Sequence, residues 1–326
     1  MKKSHHITKL AFLLVLCTLL CGCAVSGVGP GREDLPSTMP QDRYVQVNGL
    51  RYHYTEFPAP GEKVFLLHGF GSSTASWERV APLLQKQGLH VYALDMMGFG
   101  YSDKPRDRAY DPVALTDSVN EWLDAMDLHD VTFVGNSLGG GIGMLMTQRH
   151  PDKIKRLVAV DPAVPYPEFK LPFVIWLASL PGVQYVSQPF MCEFLIKTNL
   201  QYVYYDKSKL TPTMLNAYMT RMQLPGAAYA MSRVANASHP QEFLPMLDHI
   251  ANKKPEALIL WGANDPWIPL SCAYKLKKDL PFAKLCILPE CGHAPQEEKP
   301  VETAALIADF ITGKPVPEAT APVNNM

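Results

Sequence analysis

The stretch 131-VTFVGNSLGGGIGMLMTQRH-150 decides how the rest of the chain is read. Val131–Val134 is a short apolar, β-branched run that predicts a buried strand. Gly135-Asn136-Ser137-Leu138-Gly139 follows, and then an apolar segment of helical length closing at His150-Pro151. Strand, G-x-S-x-G, helix is the setting in which a serine sits on a sharp turn with its hydroxyl raised above a sheet. Chance supplies the five-residue pattern at roughly 0.1 per chain of this length, and the flanking elements lower that by about another order of magnitude. The helix start carries Gly139, Gly140, Gly141 and Gly143, each costing about 1 kcal/mol relative to Ala. Such a cluster is expected only where two backbones must come close. The plainer alternative is a tightly packed helix with a buried, idle serine.

A serine hydroxyl is a poor nucleophile, so it needs a base, and the base needs an acid to fix its tautomer. In an elbow architecture the partners follow in the order Ser, Asp or Glu, His. Asp265 follows an expected strand, Ala257–Trp261, in WGANDPWIP, and His293 follows another, Lys284–Leu288, in PECGHAPQ. Both lie past strand C-termini, on the sheet edge expected for Ser137. Asp161 is a rival acid at the end of the Ile154–Val160 strand, although its Asp-Pro pair equally suits a turn. His68 is a rival base, but it precedes the elbow, in HGFGSS. That loop is better suited to offering a backbone N–H. The expected oxyanion hole is the Leu138 N–H plus that of Phe70.

The remaining elements fall into alternation. Tyr44–Asn48 and Leu50–Phe57 flank an Asn-Gly hairpin signal, Lys63–Leu67 and His90–Leu94 are strands, and a Trp77, Val80, Leu83, Leu84 stripe predicts a helix. Leu115, Val119, Trp122, Leu123 and Met126 mark another helix, and Val301–Ile311 a closing one. Strands alternating with helices imply a mostly parallel sheet covered on both faces. Residues 164–250 break the pattern, with many prolines and aromatic residues such as Phe173, Trp176, Phe194, Tyr202, Tyr204 and Tyr218. They predict a mainly helical insertion over the strand ends, where open α/β sheets bind ligands. Its aromatic residues make either that insertion's own core or an apolar substrate chamber.

The formal net charge of −1 over 326 residues leaves no basic surplus for nucleic-acid binding. A 47% hydrophobic content suits one large α/β domain. Lys2, Lys3 and Lys9 precede Leu10–Leu20, an uncharged run too short to span a bilayer. Leu20-Cys21-Gly22-Cys23 then resembles a bacterial lipoprotein signal. The resemblance implies cleavage after residue 22, lipid on Cys23, and, with Ala24 next, an outer-membrane location facing the periplasm. Several acyl chains would make the anchoring stable. A plain secretory signal or an uncleaved anchor are the alternatives. Residues 23–42 read as a tether and 314–326 as a disordered tail. Cys192, Cys272, Cys286 and Cys291 allow three disulfide pairings or free thiols. No spacing resembles a metal site.

Taken together, HGFGSS, DMMGFGYSDKP, GNSLGG, GANDPWIP and GHAPQEEKP are similar to the α/β-hydrolase superfamily. The resemblance implies an α/β-hydrolase core over residues 43–163 and 251–313, with 164–250 as its cap. Ser137, where haloalkane dehalogenases and epoxide hydrolases carry Asp, separates the chain from both. GNSLGG and HGFG resemble lipases, carboxylesterases and carbon–carbon hydrolases of aromatic degradation; the last group usually has Trp after the catalytic His, where this chain has Ala294. The expected activity is hydrolysis of apolar carboxylic esters, with no cofactor or metal. Alternatives are a carbon–carbon hydrolase using Arg221 or Arg233 as a carboxylate clamp, an acyltransferase, or a non-catalytic ligand-binding lipoprotein.

Overall fold

The computed structural model describes residues 40–164, 166, 173–237 and 244–319. The expected signal, Cys23 and most of the tether lie outside the described residues. Eight strands form one sheet: β1 (Asp42–Val47), β2 (Leu50–Phe57), β3 (Lys63–Leu67), β4 (His90–Leu94), β5 (Val131–Asn136), β6 (Ile154–Val160), β7 (Glu256–Gly262) and β8 (Lys284–Leu288). Their spatial order is β1-β2-β4-β3-β5-β6-β7-β8. β2 runs antiparallel to β1 and β4; the pairings from β4 through β8 are parallel. Asn48 and Gly49 close the first hairpin at φ 50° and 82°, the left-handed values that an Asn-Gly pair accepts.

Before the insertion come α1 (Ala81–Lys86), α2 (Pro112–Ala125) and α3 (Leu138–Arg149). The stripe expected as one helix from Trp77 is split into a 3-10 turn, Thr74–Trp77, and α1. Pro82 sits in the first turn of α1, where its missing N–H breaks no helical bond, so the helix starts afresh there. Strand side chains alternate between two cores. Phe65, Leu67 and Phe133 pack with Trp122 of α2 and Ile142 of α3. Val64, Leu66 and Val134 pack on the other face with Trp77, Leu84 and Ile307.

Between β6 and β7 lie α4 (Phe173–Ala178), α5 (Val183–Val186), α6 (Glu193–Val203), α7 (Pro212–Met222), α8 (Ala227–Ala237) and α9 (Leu244–Lys253). Past β7 come α10 (Leu270–Asp279), α11 (Pro295–Glu298) and α12 (Pro300–Ile311). α9 packs against α3, so it belongs to the core layer and the helical insertion is α4–α8, ending short of residue 250. The insertion's aromatic residues do not all serve one interior. α6 buries only the stripe Ile196, Leu200 and Val203, which leaves Phe194 66% and Tyr202 58% exposed.

The stretch expected as a tail is docked at its start: Ala319 N–H donates to the Leu285 carbonyl (2.7 Å) and the Cys286 thiol to that of Pro317 (3.0 Å). The open edge of β8 offers an unpaired backbone carbonyl, and this gives the chain its partner. Cys286 and Cys291 are buried thiols in no disulfide. No helix among the described residues is long and apolar enough to cross a membrane.

Candidate active site

β5 lies beside β3, at the point where the sheet order reverses direction, which is where open α/β sheets form a crevice. Ser137 follows β5 at φ 53° and ψ −117°, a conformation that a non-glycine residue adopts only under constraint. Three backbone bonds supply it. The Ser137 N–H donates to the Val160 carbonyl (2.9 Å), and its own carbonyl accepts from Ala163 N–H (2.9 Å) and Gly141 N–H (3.0 Å). The glycines follow from the close approach: a Cβ on Gly135 would stand 2.2 Å from the Gly139 oxygen, and one on Gly139 2.4 Å from that of Leu67.

His293 and Asp265 arrive on the loops after β8 and β7. His293 Nδ1 bonds Asp265 Oδ2 at 2.6 Å, with both side chains buried. Asp265 Oδ1 accepts from the N–H groups of Trp267 (2.7 Å) and Ile268 (2.9 Å), so the carboxylate cannot turn. The Trp267 ring lies 5.1 Å from the imidazole, centroid to centroid. His293 Nε2 is buried and has no hydrogen-bond partner among the described residues. Asn136, one residue before the serine, joins the two halves: its amide donates to the His293 carbonyl (3.1 Å) and its Oδ1 accepts from Gln296 (3.2 Å). Asn136 and Gln296 are structural contributors that the motif reading missed; the polar residue inside G-x-S-x-G was their signal.

His68, the rival base, has both ring nitrogens engaged. Its Nδ1–H donates to the Gly69 carbonyl (2.8 Å) and its Nε2 accepts from Met96 N–H (3.1 Å). Burial holds it below the usual imidazole range, so it is a neutral prop for the Gly69–Ser73 loop. Gly69 passes the elbow so closely that a Cβ there would stand 3.1 Å from the Ser137 Cβ. Leu138 N–H is one of the orphan donors of the first turn of α3. Phe70 is next in that loop, stacked edge-on against Phe99. Beyond it lies a small, half-open cleft lined by Gly71, Ser72, Phe99, Arg221, Met222 and Met231.

A serine on a strained strand-to-helix turn, an imidazole–carboxylate pair and the eight-stranded order meet in one arrangement. The sequence profile of the alpha/beta hydrolase fold matches residues 63–300. This chain belongs to the α/β-hydrolase family. It is 28% identical over 284 residues to a 2-hydroxymuconate semialdehyde hydrolase of Pseudomonas sp. (strain CF600), covering 85% of this chain and 96% of that protein. It is 30% identical over 259 residues to Lipase 1 of Psychrobacter immobilis, covering 75% of each. Among solved structures, a bacterial membrane phospholipase A aligns at a TM-score of 0.69 and 26% identity, covering 96% of this chain and 99% of that one.

In this hydrolase the cap is tied to the histidine loop through two glutamates that sequence reading passed over. Glu298 Oε1 accepts from Gly292 N–H (2.7 Å), and its Oε2 from Tyr205 N–H (2.9 Å) and Asp206 N–H (3.1 Å). Glu297 accepts from the hydroxyls of Tyr204 and Tyr218, the latter at 2.6 Å, and Tyr218 also meets Ser72 at 3.0 Å. His293 N–H itself donates to the Val203 carbonyl (3.0 Å), at the end of α6. The cap therefore grips the loop that carries the imidazole.

Burial pushes Glu297 up to about 7, against the two tyrosine hydrogen bonds, with Glu78 and Glu298 adding repulsion. From its ordinary value of 4.5 to about 7 the folded chain keeps a proton that the unfolded chain has released. Stability therefore falls as pH rises through that window, by about 3 kcal/mol in all. Glu297→Gln cannot ionise, so its stability relative to the wild type is expected to rise by about 3 kcal/mol between pH 4.5 and pH 8. Urea unfolding at the two pH values measures this, and parallel pH dependences would refute it.

A second buried carboxylate network shapes the same edge. His53 bridges Asp95 (2.7 Å) and Asp42 (3.2 Å), while Thr74 N–H (2.6 Å) and Tyr101 N–H (2.8 Å) also donate to Asp95. Despite complete burial, the His53 charge holds Asp95 far below the usual carboxylate range. The DMMGFGYSDKP loop is thus fastened above β4. Asp161, the rival acid, is fully buried, and it does not bond His293 Nδ1, which Asp265 occupies. Asp161, Asp265 and His293 form one group, with ligand-type atoms all within 4.8 Å of one another. A cation there would have to displace the imidazole–carboxylate hydrogen bond.

Proposed function

We propose that this hydrolase cleaves carboxylic esters with an apolar acyl or alcohol group, through Ser137, His293 and Asp265. The observation that carries the reading is a buried His293 Nε2 left unpartnered while Nδ1 is fixed on Asp265, on a loop tied by Asn136 to the serine elbow. His293 takes the proton of Ser137 as the oxygen attacks the carbonyl, and the Phe70 and Leu138 N–H groups receive the developing oxyanion. His293 then protonates the leaving alcohol, and water, deprotonated by the same imidazole, releases the acid and restores the serine. Likeness to a lipase supports the ester class. A fluorophosphonate probe is expected to label Ser137, and an aryl-ester panel graded by acyl length to give turnover. Labelling of another residue, or none, overturns the reading.

One observation favours a second reading, hydrolysis of a carbon–carbon bond in a vinylogous diketone acid. Arg221 lines the cleft beside the Phe70 loop, stacks on Tyr101 at 4.4 Å, and keeps a buried Nε without a partner. It could hold a substrate carboxylate; Arg233 is exposed and is less suited. Likeness to a semialdehyde hydrolase supports this reading. Bleaching of a coloured ring-fission product, with little ester turnover, would select it. Product analysis with an added alcohol acceptor separates hydrolysis from acyl transfer.

We also propose that Cys23 carries a lipid anchor to the outer membrane, with the catalytic body in the periplasm. Similarity to a membrane phospholipase A supports a membrane association. Cys23→Ser is expected to move most of the chain from the membrane to the soluble fraction; unchanged partitioning would remove the lipid from the proposal.

A further inference from the structure

Asp161 is a buried acid with no role in the mechanism above. β6 and β7 are neighbours, Val160 opposite Leu260, so the residue after β6 meets the end of β7. Asp161 N–H donates to the Leu260 carbonyl (2.9 Å), and Asp161 Oδ1 accepts from Gly262 N–H (2.9 Å). Its φ of 42° is a strained value for a residue with a side chain, and these two bonds hold it there. Asp161 Oδ2 is buried with no donor facing it.

The charged and titratable groups around Asp161 are few. Asp265 comes from the loop after β7, Cys291 and His293 from the loop after β8, and Glu298 from α11. Among the described residues no lysine or arginine forms an ion pair with Asp161 or Asp265. Asp265 receives two backbone N–H groups and the imidazole, whereas Asp161 receives one N–H. Two carboxylates this close in a dry site cannot both be charged, and the better-solvated one keeps the charge. The proton therefore resides on Asp161, and burial together with Asp265 raises it far above the carboxylate range.

We propose that Asp161 is a second acid of the site, a neutral hydrogen-bond donor to Asp265 that becomes the carboxylate partner of His293 when Asp265 is removed. The step is a proton redistribution. With Asp265 ionised, Asp161 holds the proton; with that charge gone, Asp161 releases it to water and its carboxylate, already within 4.8 Å of the imidazole group, turns to accept from Nδ1–H. Asp161 is thus a positioning residue in the intact site.

The proposal rests on Ser137 acting as the nucleophile, and the test separates the two. The rate of fluorophosphonate labelling of Ser137 is measured in the wild type, Asp161→Asn, Asp265→Ala and the Asp161→Asn/Asp265→Ala pair. An asparagine amide is also a neutral donor, so Asp161→Asn alone is expected to cost less than about tenfold. Asp265→Ala is expected to retain at least about tenfold more activity than the double variant, which falls by the ~10⁴ typical of a triad without its acid. Equal cost of Asp161→Asn in both backgrounds, the pattern of a purely structural residue, overturns the proposal. So does an Asp161→Asn loss as deep as that of Asp265→Ala. A wild type that does not label at all sinks the nucleophile assignment instead.

Discussion

Ser137→Ala is expected to lower kcat/KM for aryl esters by about 10⁶-fold, some 8 kcal/mol of transition-state stabilisation. The size follows from the way the site is assembled. His293 can accept only one proton that matters, and without the serine oxygen no covalent intermediate forms. Residual catalysis of about 10³-fold over water is expected from the oxyanion donors and substrate binding alone. The fold should not change, because the constraint on residue 137 comes from backbone bonds to Val160, Ala163 and Gly141, which alanine keeps. Alanine also inherits the strain at φ 53°, whereas glycine would relieve it. Ser137→Gly is therefore expected to be equally inactive yet more stable than Ser137→Ala by about 1 kcal/mol. Turnover above about 1% of wild type in either variant would show that another group attacks the carbonyl.

The parts of the site that were legible in the sequence are those that local chemistry writes down. Ser137, Asp265 and His293 each follow a recognisable apolar strand, and parallel strands share one C-terminal edge, so order along the chain becomes proximity in space. The glycines around Ser137 were legible in part: the cost of Gly135 has a cause four residues away, at Gly139, whereas Gly139 is pressed against Leu67 of β3, a neighbour that only the sheet order supplies. Glu297 was not legible, because its partners Tyr204 and Tyr218 lie far back in a helical insertion, where a tyrosine reads the same whether it packs or donates. Asp161 was half legible. Its place at a strand end was plain, but its nearness to Asp265 depends on β6 and β7 being neighbours, which strand count alone does not determine. The insertion's boundary failed for a similar reason: α9 has the same apolar periodicity whether it covers the cap or α3, and packing on α3 is what decides it.

Asp265→Asn is expected to lower kcat by about 10⁴-fold, more than Asp265→Ala does, although asparagine is the closer mimic. The hydrogen bonds around residue 265 dictate the order. Oδ1 accepts from two backbone N–H groups, of Trp267 and Ile268, so the amide oxygen must take that place. An amide NH₂ there would set donor against donors. The NH₂ group is left facing His293 Nδ1, where the carboxylate stood at 2.6 Å. It can only donate, so Nδ1 must become the acceptor and the ring proton moves to Nε2, toward the serine. In that tautomer the imidazole cannot take the proton of Ser137, and no shift of a neighbouring acid corrects it. Alanine imposes no tautomer, and it leaves space for Asp161 to turn toward Nδ1. The expected ranking of labelling rates is wild type, then Asp265→Ala, then Asp265→Asn, with unfolding midpoints used to exclude misfolding. A reversed ranking of the two variants would mean that the loss comes from missing charge alone, and that the orientation of residue 265 carries no part of the catalysis.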